Sequence, residues 1–200
     1  MSRSEQKNQT RKRILEAAGR GFRQGGFGGI GVDGLAKQAG VTSGAFYGHF
    51  DSKASAFRES VTAGMGDLKN GLRYFQAEFK ASWWEHFVYF YLGTKRTCDL
   101  AESCALQSLP PEVARADVTS RMSFEIELRE VATIIATGPA ATGAPSNVDA
   151  ACAALATLVG AVTLARAVND VVISEQIAMA ALRVLLPAES VDDSRIRSTL

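Results

Sequence analysis

Residues 40–53 read GVTSGAFYGHFDSK and place small residues, hydroxyls, a histidine and a lysine close together. A helix that reads DNA needs small side chains where it approaches the bases and polar donors where the phosphates pass. It also needs apolar side chains behind it that anchor it to its own domain. We interpret the stretch as a candidate DNA-reading surface whose contact residues are Thr42, Ser43, Gly44, Ala45, Tyr47, His49 and Lys53.

Apolar and capping positions predict the helices that hold this surface. Phe46 and Phe50 lie four residues apart, which places both on one helix face, turned toward a core. Thr42 or Ser43 supplies the hydroxyl that caps this helix. Two earlier segments also show helical spacing and end at glycines. We therefore predict a helix-turn-helix unit formed by helices over 10–26 and 32–39 and the helix capped at 42 or 43.

The charge of the chain is unevenly distributed. Residues 1–60 contain ten Lys or Arg against five Asp or Glu, whereas residues 61–200 contain twelve against sixteen. The net charge of +1 is thus the sum of a basic N-terminal third and a mildly acidic body. A basic module favours a polyanionic partner at the N-terminal end.

The rest of the chain also shows helical periodicity, and no stretch alternates long enough to predict a sheet. The sequence predicts one long helix from residue 57, an aromatic buried helix over 83–92, a helix over 112–137 and a flexible loop over 138–147. We therefore predict an all-α protein with an N-terminal DNA-binding domain over 1–56, a helical effector-binding and dimerisation domain over 57–187, and a flexible tail over 188–200.

Two strongly apolar helices are predicted over 148–168 and 174–186. They contain more large apolar residues than one face can bury, together with small residues that allow close approach. One interpretation is an interface between two copies that forms a four-helix bundle. The other is packing inside one chain. The first interpretation predicts the interface residues Leu155, Leu158, Val159, Val162, Ile177 and Ala181.

Several other function classes are disfavoured. Residues 26–31, GFGGIG, match the GxGxxG dinucleotide pattern, but a helix rather than a strand precedes them, so no nucleotide cofactor is expected. The three cysteines show no metal-ligand spacing, and we predict neither a metal nor any other cofactor. The polar N-terminus is unlike a signal peptide, and the apolar run over 150–168 is interpreted as a buried helix. We expect a cytoplasmic protein without a membrane partner.

Residues 10–57 resemble the DNA-binding domain of the TetR/AcrR family of bacterial transcriptional regulators. One departure lies before the second helix, where the family usually has Thr followed by Ser or Thr and this chain has Ile30-Gly31. A glycine there removes a hydroxyl cap. The matching residues are Thr10-Arg11, Ile14-Leu15, Ala17-Ala18, Phe22, Gly26-Phe27, Val32, Leu35-Ala36, Ala39-Gly40-Val41-Thr42, Gly44, Phe46-Tyr47, His49-Phe50 and Ser52-Lys53.

The resemblance implies a homodimer that binds a near-palindromic operator in double-stranded DNA, acts as a repressor and is released by a small-molecule effector. The candidate effector-pocket residues are Phe75, Phe79, Trp83, Trp84, Phe87, Tyr91, Cys104 and Phe124. One alternative is a regulator that senses oxidants or electrophiles through Cys104. A helical enzyme using His86, Cys104 or Asp99 is another, but no catalytic constellation supports it, and a DNA-binding scaffold without an effector also stays open.

Overall fold

The computed structural model describes residues 2–197, and that range is helical without any strand, as the sequence predicts. Short 3-10 turns lie at Lys80–Ser82, Leu100–Glu102 and Ala188–Ser190. The α-helices are α1 Arg3–Gly29, α2 Val32–Gln38, α3 Ser43–Tyr47, α4 Lys53–Phe79, α5 Trp83–Leu92, α6 Thr94–Thr97, α7 Ala105–Ser108, α8 Pro110–Arg115, α9 Val118–Ala136, α10 Val148–Ala167, α11 Val171–Leu185 and α12 Ser194–Arg197.

The chain forms two compact units, and their division differs from the predicted boundary at residue 56. The first unit contains the residues up to Met65 together with Leu100–Glu125, and the second contains the remainder. Residues 100–125 join the first unit because they bond to α1. The Arg23 Nε donates to the Ala101 carbonyl at 2.7 Å, and Arg20 forms an ion pair with Glu102.

The first helix is longer than predicted. It begins at Arg3 rather than near Thr10, because Ser2 and Glu5 form a capping box. The Ser2 hydroxyl accepts from the Glu5 N–H at 3.2 Å, and the Glu5 carboxylate accepts from the Ser2 N–H at 2.6 Å. The regular helix breaks at Gly26, whose φ of 69° lies in the left-handed region that glycine tolerates.

Aromatic side chains fill the core of the first unit. The Phe57 ring meets Phe22 and Phe27 edge to face, with ring centroids 5.2 and 5.3 Å apart. Phe46 is completely buried, which confirms the predicted anchor of α3. The predicted helix over 112–137 is interrupted: α8 ends at Arg115, and α9 starts at Val118 because Asp117 caps it.

The second unit is built around α5, as the aromatic sequence of that helix predicts. Both indoles are fully buried and both of their N–H groups are bonded. Trp83 donates to the Pro139 carbonyl at 2.9 Å, and Trp84 donates to the Leu185 carbonyl at 3.2 Å. These bonds satisfy the polar atoms of the two largest side chains in the core.

The predicted flexible tail over 188–200 contacts α5 through residues 190–196. The Tyr89 hydroxyl donates to the Ser190 carbonyl at 3.0 Å, and Arg195 forms an ion pair with Glu85 at 2.6 Å. Ile196 is fully buried. An apolar anchor and these polar contacts connect the segment to α5, whereas its flexibility stays a prediction. Residues 198–200 lie outside the described residues.

The predicted dimer residues are mostly interior. Leu155, Leu158, Val162 and Ala181 are 0–7% exposed within the single chain. Packing inside one chain predicts this burial for the four side chains, and the interface between two copies stays a prediction. Only Val159 and Ile177 of the predicted set are half-buried.

By length and composition alone, α10 is apolar enough to cross a membrane, with a mean hydropathy of 1.9. A single helix of this kind is weak evidence, because a core helix of a soluble protein passes the same test. The most apolar stretch of α10 is only 39% buried. The helix thus has an inward face and a second apolar face left uncovered by its own chain.

Candidate nucleic-acid interface

A tight turn presents α3 after α2. Gly40 adopts a φ of 66°, and the Val41 N–H donates to the Ala36 carbonyl at 2.9 Å. The Thr42 hydroxyl then caps α3 by accepting from the Ala45 N–H at 3.1 Å. This geometry confirms Thr42 as the predicted cap, and it orients a five-residue helix with Phe46 inward.

The outward side of α3 is small and open. Thr42, Gly44 and Tyr47 are exposed, Tyr47 by 57% of its surface. A Cβ added to Gly44 would have the Thr42 hydroxyl as its nearest neighbour, 3.9 Å away. Ser43 and Ala45 are half-buried, and the Ser43 hydroxyl already donates to the Asp33 carboxylate. The freely presented part of the predicted surface is therefore Thr42, Gly44 and Tyr47.

Lys53 opens the next helix and rests on an aromatic ring. Its ammonium lies 4.5 Å from the centroid of Phe27. The Ser52 hydroxyl accepts from the Ser55 N–H at 3.0 Å and caps the same helix end. A capped helix N-terminus with a lysine in its first turn is suited to bind a phosphate oxygen.

His49 is half-buried beside two cations of α1. The Nδ1 atom of His49 has no hydrogen-bond partner among the residues that the structure describes. Burial lowers the pKa of His49 below its ordinary value, and the charges of Lys7 and Arg11 lower it further. At neutral pH the imidazole is therefore neutral, so it offers a hydrogen-bonding group rather than a positive charge.

Two cations near this surface are absent from the predicted contact set. Arg11 lies 4.8 Å above the Phe50 ring and forms an ion pair with Glu59, while Lys7 lies one helical turn earlier. Both act electrostatically on His49. The Ser2-to-Glu5 spacing of a capping box is the sequence signal that extends α1 back to these residues.

Comparison with known proteins assigns the N-terminal domain. Residues 14–59 match the family model described as bacterial regulatory proteins, tetR family. These residues form a TetR-type DNA-binding domain. The match covers the second half of α1, α2, α3 and the start of α4. A search of curated proteins finds no match.

The fold of this chain is similar to those of solved proteins along nearly its whole length. A TetR-family transcriptional regulator from Agrobacterium tumefaciens has a TM-score of 0.72 at 16% identity, over 90% of this chain and 99% of that one. One from Cytophaga hutchinsonii has a TM-score of 0.71 at 16% identity, over 94% and 98%. Reduced NemR from E. coli has a TM-score of 0.69 at 19% identity, over 90% and 98%.

The predicted effector residues fall into two groups. Six of them lie in the second unit, where the Phe87 ring is 5.7 Å from Phe75 and 5.7 Å from Tyr91 between centroids. Trp83, Trp84, Phe87 and Tyr91 are fully buried, whereas Phe75 and Phe79 are half-buried. Cys104 and Phe124 belong to the first unit.

The remaining candidates are engaged in packing. Cys104 is 8% exposed, which limits the access of a solvent oxidant to its thiol. His86 stacks on Phe79, with centroids 4.0 Å apart, and its Nδ1 bonds to the Ser82 carbonyl at 2.9 Å. Residues 2–197 contain no cluster of His, Cys, Asp and Glu suited to a metal ion.

A cavity of about 340 Å³ opens beside the aromatic cluster of the second unit. Trp84 connects the cavity to the aromatic cluster, because it lines the cavity and its ring centroid lies 5.9 Å from that of Phe87. The remaining walls come from the loop before α10 and from facing residues of α10 and α11. These are Gly143, Ala144, Pro145, Ser146, Ala150, Ala153, Ala154, Thr157, Val184 and Leu185.

The glycine cap of α2 gives a first prediction. Gly31 has an extended backbone, no side-chain bond to the helix and no atom within 4 Å of an added Cβ. A serine there accepts from a free N–H of α2. We expect Gly31→Ser to raise the free energy of unfolding by about 1 kcal/mol over Gly31→Ala. Urea unfolding measures both variants, and equal stabilities would show that the cap is unused.

Proposed function

We propose that this chain is a TetR-family regulator that represses transcription as a cytoplasmic homodimer, binds a near-palindromic operator and is released by a small-molecule effector. The observation that carries the proposal is the open outward side of α3, formed by small residues and flanked by Tyr47, His49 and Lys53. Gly44 and Thr42 allow close approach to base edges, and the flanking groups meet phosphates. Fluorescence anisotropy on the duplex upstream of its gene, against a scrambled duplex, tests the proposal.

A second surface supports the dimer. The sides of α10 and α11 that face away from the core are apolar, and we call them the α10–α11 face. Leu164 and Val184 on this face are 61% and 73% exposed. Eight residues spaced three or four apart along the two helices form this face, and none of them is charged. They are Ala153, Ala156, Gly160 and Leu164 on α10 and Ile173, Ile177, Ala180 and Val184 on α11.

An uncharged apolar stripe on two neighbouring helices fits a second copy of itself. The small residues at its centre allow two helix pairs to approach closely and form a four-helix bundle. Two copies joined there bring two α3 helices into one assembly, which a palindromic site requires. We therefore assign dimerisation to this face instead of the buried residues that the sequence favoured.

The flanking polar residues give a second prediction. We expect Tyr47→Phe and Lys53→Ala to weaken operator and random duplex by similar factors, because phosphate contacts carry little sequence information. Lys53→Ala also lowers the salt dependence of log K by about 0.9 for each phosphate that the ammonium neutralises, whereas Tyr47→Phe removes no charge and should leave that dependence unchanged. Anisotropy titrations from low to moderate salt measure both quantities. Tyr74→Phe is the matched control, since Tyr74 is 59% exposed on α4 and outside the helix-turn-helix. A sharp change of sequence preference in either test variant would contradict the assignment.

We propose that the effector is an apolar or aromatic compound that enters the second unit at the Trp84 cavity and contacts the ring cluster beyond it. Trp84 and Phe87 connect the opening to the cluster. Such sites combine mainly apolar walls with a few polar groups, and Ser146 and Thr157 supply hydroxyls here. A ligand that binds one conformation of this unit better shifts the population toward it.

The tryptophans give a third prediction. The chain has two, Trp83 and Trp84, both in the second unit. We expect any compound that releases operator DNA to change tryptophan emission over the same concentration range. Ala150→Leu narrows the Trp84 cavity. It should therefore shift the operator-release curve and the emission curve to higher compound concentration by the same factor. Release of DNA without any change in emission would place the effector elsewhere.

A further inference from the structure

The first unit contains a cavity of its own, with a volume of about 250 Å³. It lies where the turn after Gly26, the start of α4 and the break between α8 and α9 come together. Its walls combine two aromatic rings, two alanines and three charged side chains. The lining residues are Phe27, Ala54, Phe57, Glu112, Arg115, Ala116 and Asp117.

The local backbone explains why this space exists. At Gly26 an added Cβ would come within 3.0 Å of the Glu112 carboxylate, so glycine lets α8 approach the turn. Ala54 and Ala116 then contribute only methyl groups where larger side chains would fill the volume. The cavity is slightly smaller than the common range for small-molecule sites, about 300–1,000 Å³. It therefore suits a fragment-sized ligand.

The charges at the cavity are fixed by local bonds. Glu112 pairs with Arg115 at 2.8 Å. The Asp117 carboxylate accepts from the Ser120 N–H at 2.8 Å and from its hydroxyl at 3.0 Å. These bonds from Ser120 hold the pKa of Asp117 below its ordinary value, so the group is ionised at neutral pH. The charge of Arg58 also lowers the pKa of Asp117, although Arg58 does not line the cavity. The walls themselves carry two carboxylates and one guanidinium.

We propose that this cavity binds a fragment-sized organic cation, which places an aromatic or short alkyl group against Phe27 and Phe57 and a protonated amine or amidine toward Glu112 and Asp117. Aromatic faces attract cations, as the Lys53 ammonium 4.5 Å from the Phe27 centroid illustrates, and the Phe57 ring also lines the cavity. Glu112 and Arg115 pair with each other, so Asp117 is the wall charge outside that pair, and it favours a cation over an anion. This ligand differs from the proposed effector, whose site lies in the second unit.

Ligand-detected NMR on the full chain tests the charge preference with three probes of equal ring size. Benzamidine carries a cation, benzoate an anion and benzyl alcohol no charge. We expect benzamidine to bind at least tenfold more tightly than benzyl alcohol, and benzoate to show no binding. Equal binding of benzamidine and benzoate would overturn the proposal. Tryptophan emission should stay constant, which separates this site from the effector site.

Variants test the location. Ala116→Leu fills the cavity and should weaken benzamidine binding at least tenfold, whereas Ala116→Ser leaves the space and should retain it. Operator affinity should be unchanged in both variants. A result against the benzamidine site therefore leaves the proposed function untouched. Glu112→Gln keeps the shape without the charge and should reduce the preference for benzamidine over benzyl alcohol at least threefold. Unchanged benzamidine binding in Ala116→Leu, or an unchanged preference in Glu112→Gln, would contradict the site.

Discussion

Gly44→Glu should abolish DNA binding while leaving the fold intact. Gly44 lies in the first turn of α3, where we expect the closest approach to the base pairs. A glutamate there both occupies that space and repels the phosphates, so we expect operator affinity to fall at least 100-fold. The fold tolerates the change because the nearest atom to an added Cβ is 3.9 Å away. An acidic residue in the first turn of a helix is also electrostatically favourable.

Fluorescence anisotropy with operator and random duplex measures the loss, and circular dichroism checks the helical content. Gly66→Glu is the matched control, because Gly66 lies on α4 and also has no atom within 4 Å of an added Cβ. It makes the same change of residue and charge away from α3. We expect the control to bind DNA nearly as tightly as the natural chain. A Gly44→Glu variant that retains operator affinity would show that α3 does not enter the groove.

Gly160→Arg should convert the proposed dimer into monomers. Gly160 lies at the centre of the α10–α11 face, and no atom lies within 4 Å of an added Cβ. The substitution therefore fits a single chain and even improves the helix propensity of α10 by about 1 kcal/mol. At a two-fold interface, however, each copy would bury an unpaired guanidinium. We expect operator affinity to fall about 100-fold or more, because binding through two linked heads is lost.

Gly71→Arg provides the control for dimerisation. Gly71 is also a helical glycine with open space around an added Cβ, but it lies on α4. Both variants gain the same charge and the same helix propensity, so only their positions differ. Sedimentation equilibrium and anisotropy should find Gly71→Arg dimeric with normal affinity. A dimeric Gly160→Arg with natural operator affinity would contradict the interface.

The helix-turn-helix was predictable because local rules determine it. Thr42 caps α3 through its own hydroxyl, Gly40 takes the left-handed turn, and Phe46 is buried. Each of these features depends on residues within a few positions in the sequence. The start of α1 also depends on local residues, since Ser2 and Glu5 form a capping box. The prediction began the helix at residue 10 because its first apolar positions start at residue 14.

The outward face of α10 was not predictable from composition. The helix is apolar nearly all round, so periodicity does not distinguish the side that packs on its own chain from the side left exposed. The structure turns Leu155, Leu158 and Val162 inward and leaves Ala156, the half-buried Gly160 and also the large Leu164 on the other side. Large side chains bury more area in the core, whereas small ones suit the close approach of another helix pair.

The effector site was predicted only as a cluster of rings. Periodicity correctly identified α5 as a buried aromatic helix, and the contacts of Phe87 with Phe75 and Tyr91 agree with that. Which rings border an open volume depends on the loop before α10 and on Leu185, far away in the sequence. Sequence spacing carries no information about such a cavity.

Selection of duplexes from a random library by the purified full chain, followed by hydroxyl-radical footprinting of the selected sequence, tests the central claim most directly. Two copies that each insert α3 into the major groove predict one enriched, inverted-repeat sequence. Its protected half-sites should lie about 10–10.5 base pairs apart, or a multiple of that, centre to centre. Enrichment of no sequence at low salt, or protection of a single unpaired half-site, would contradict the account.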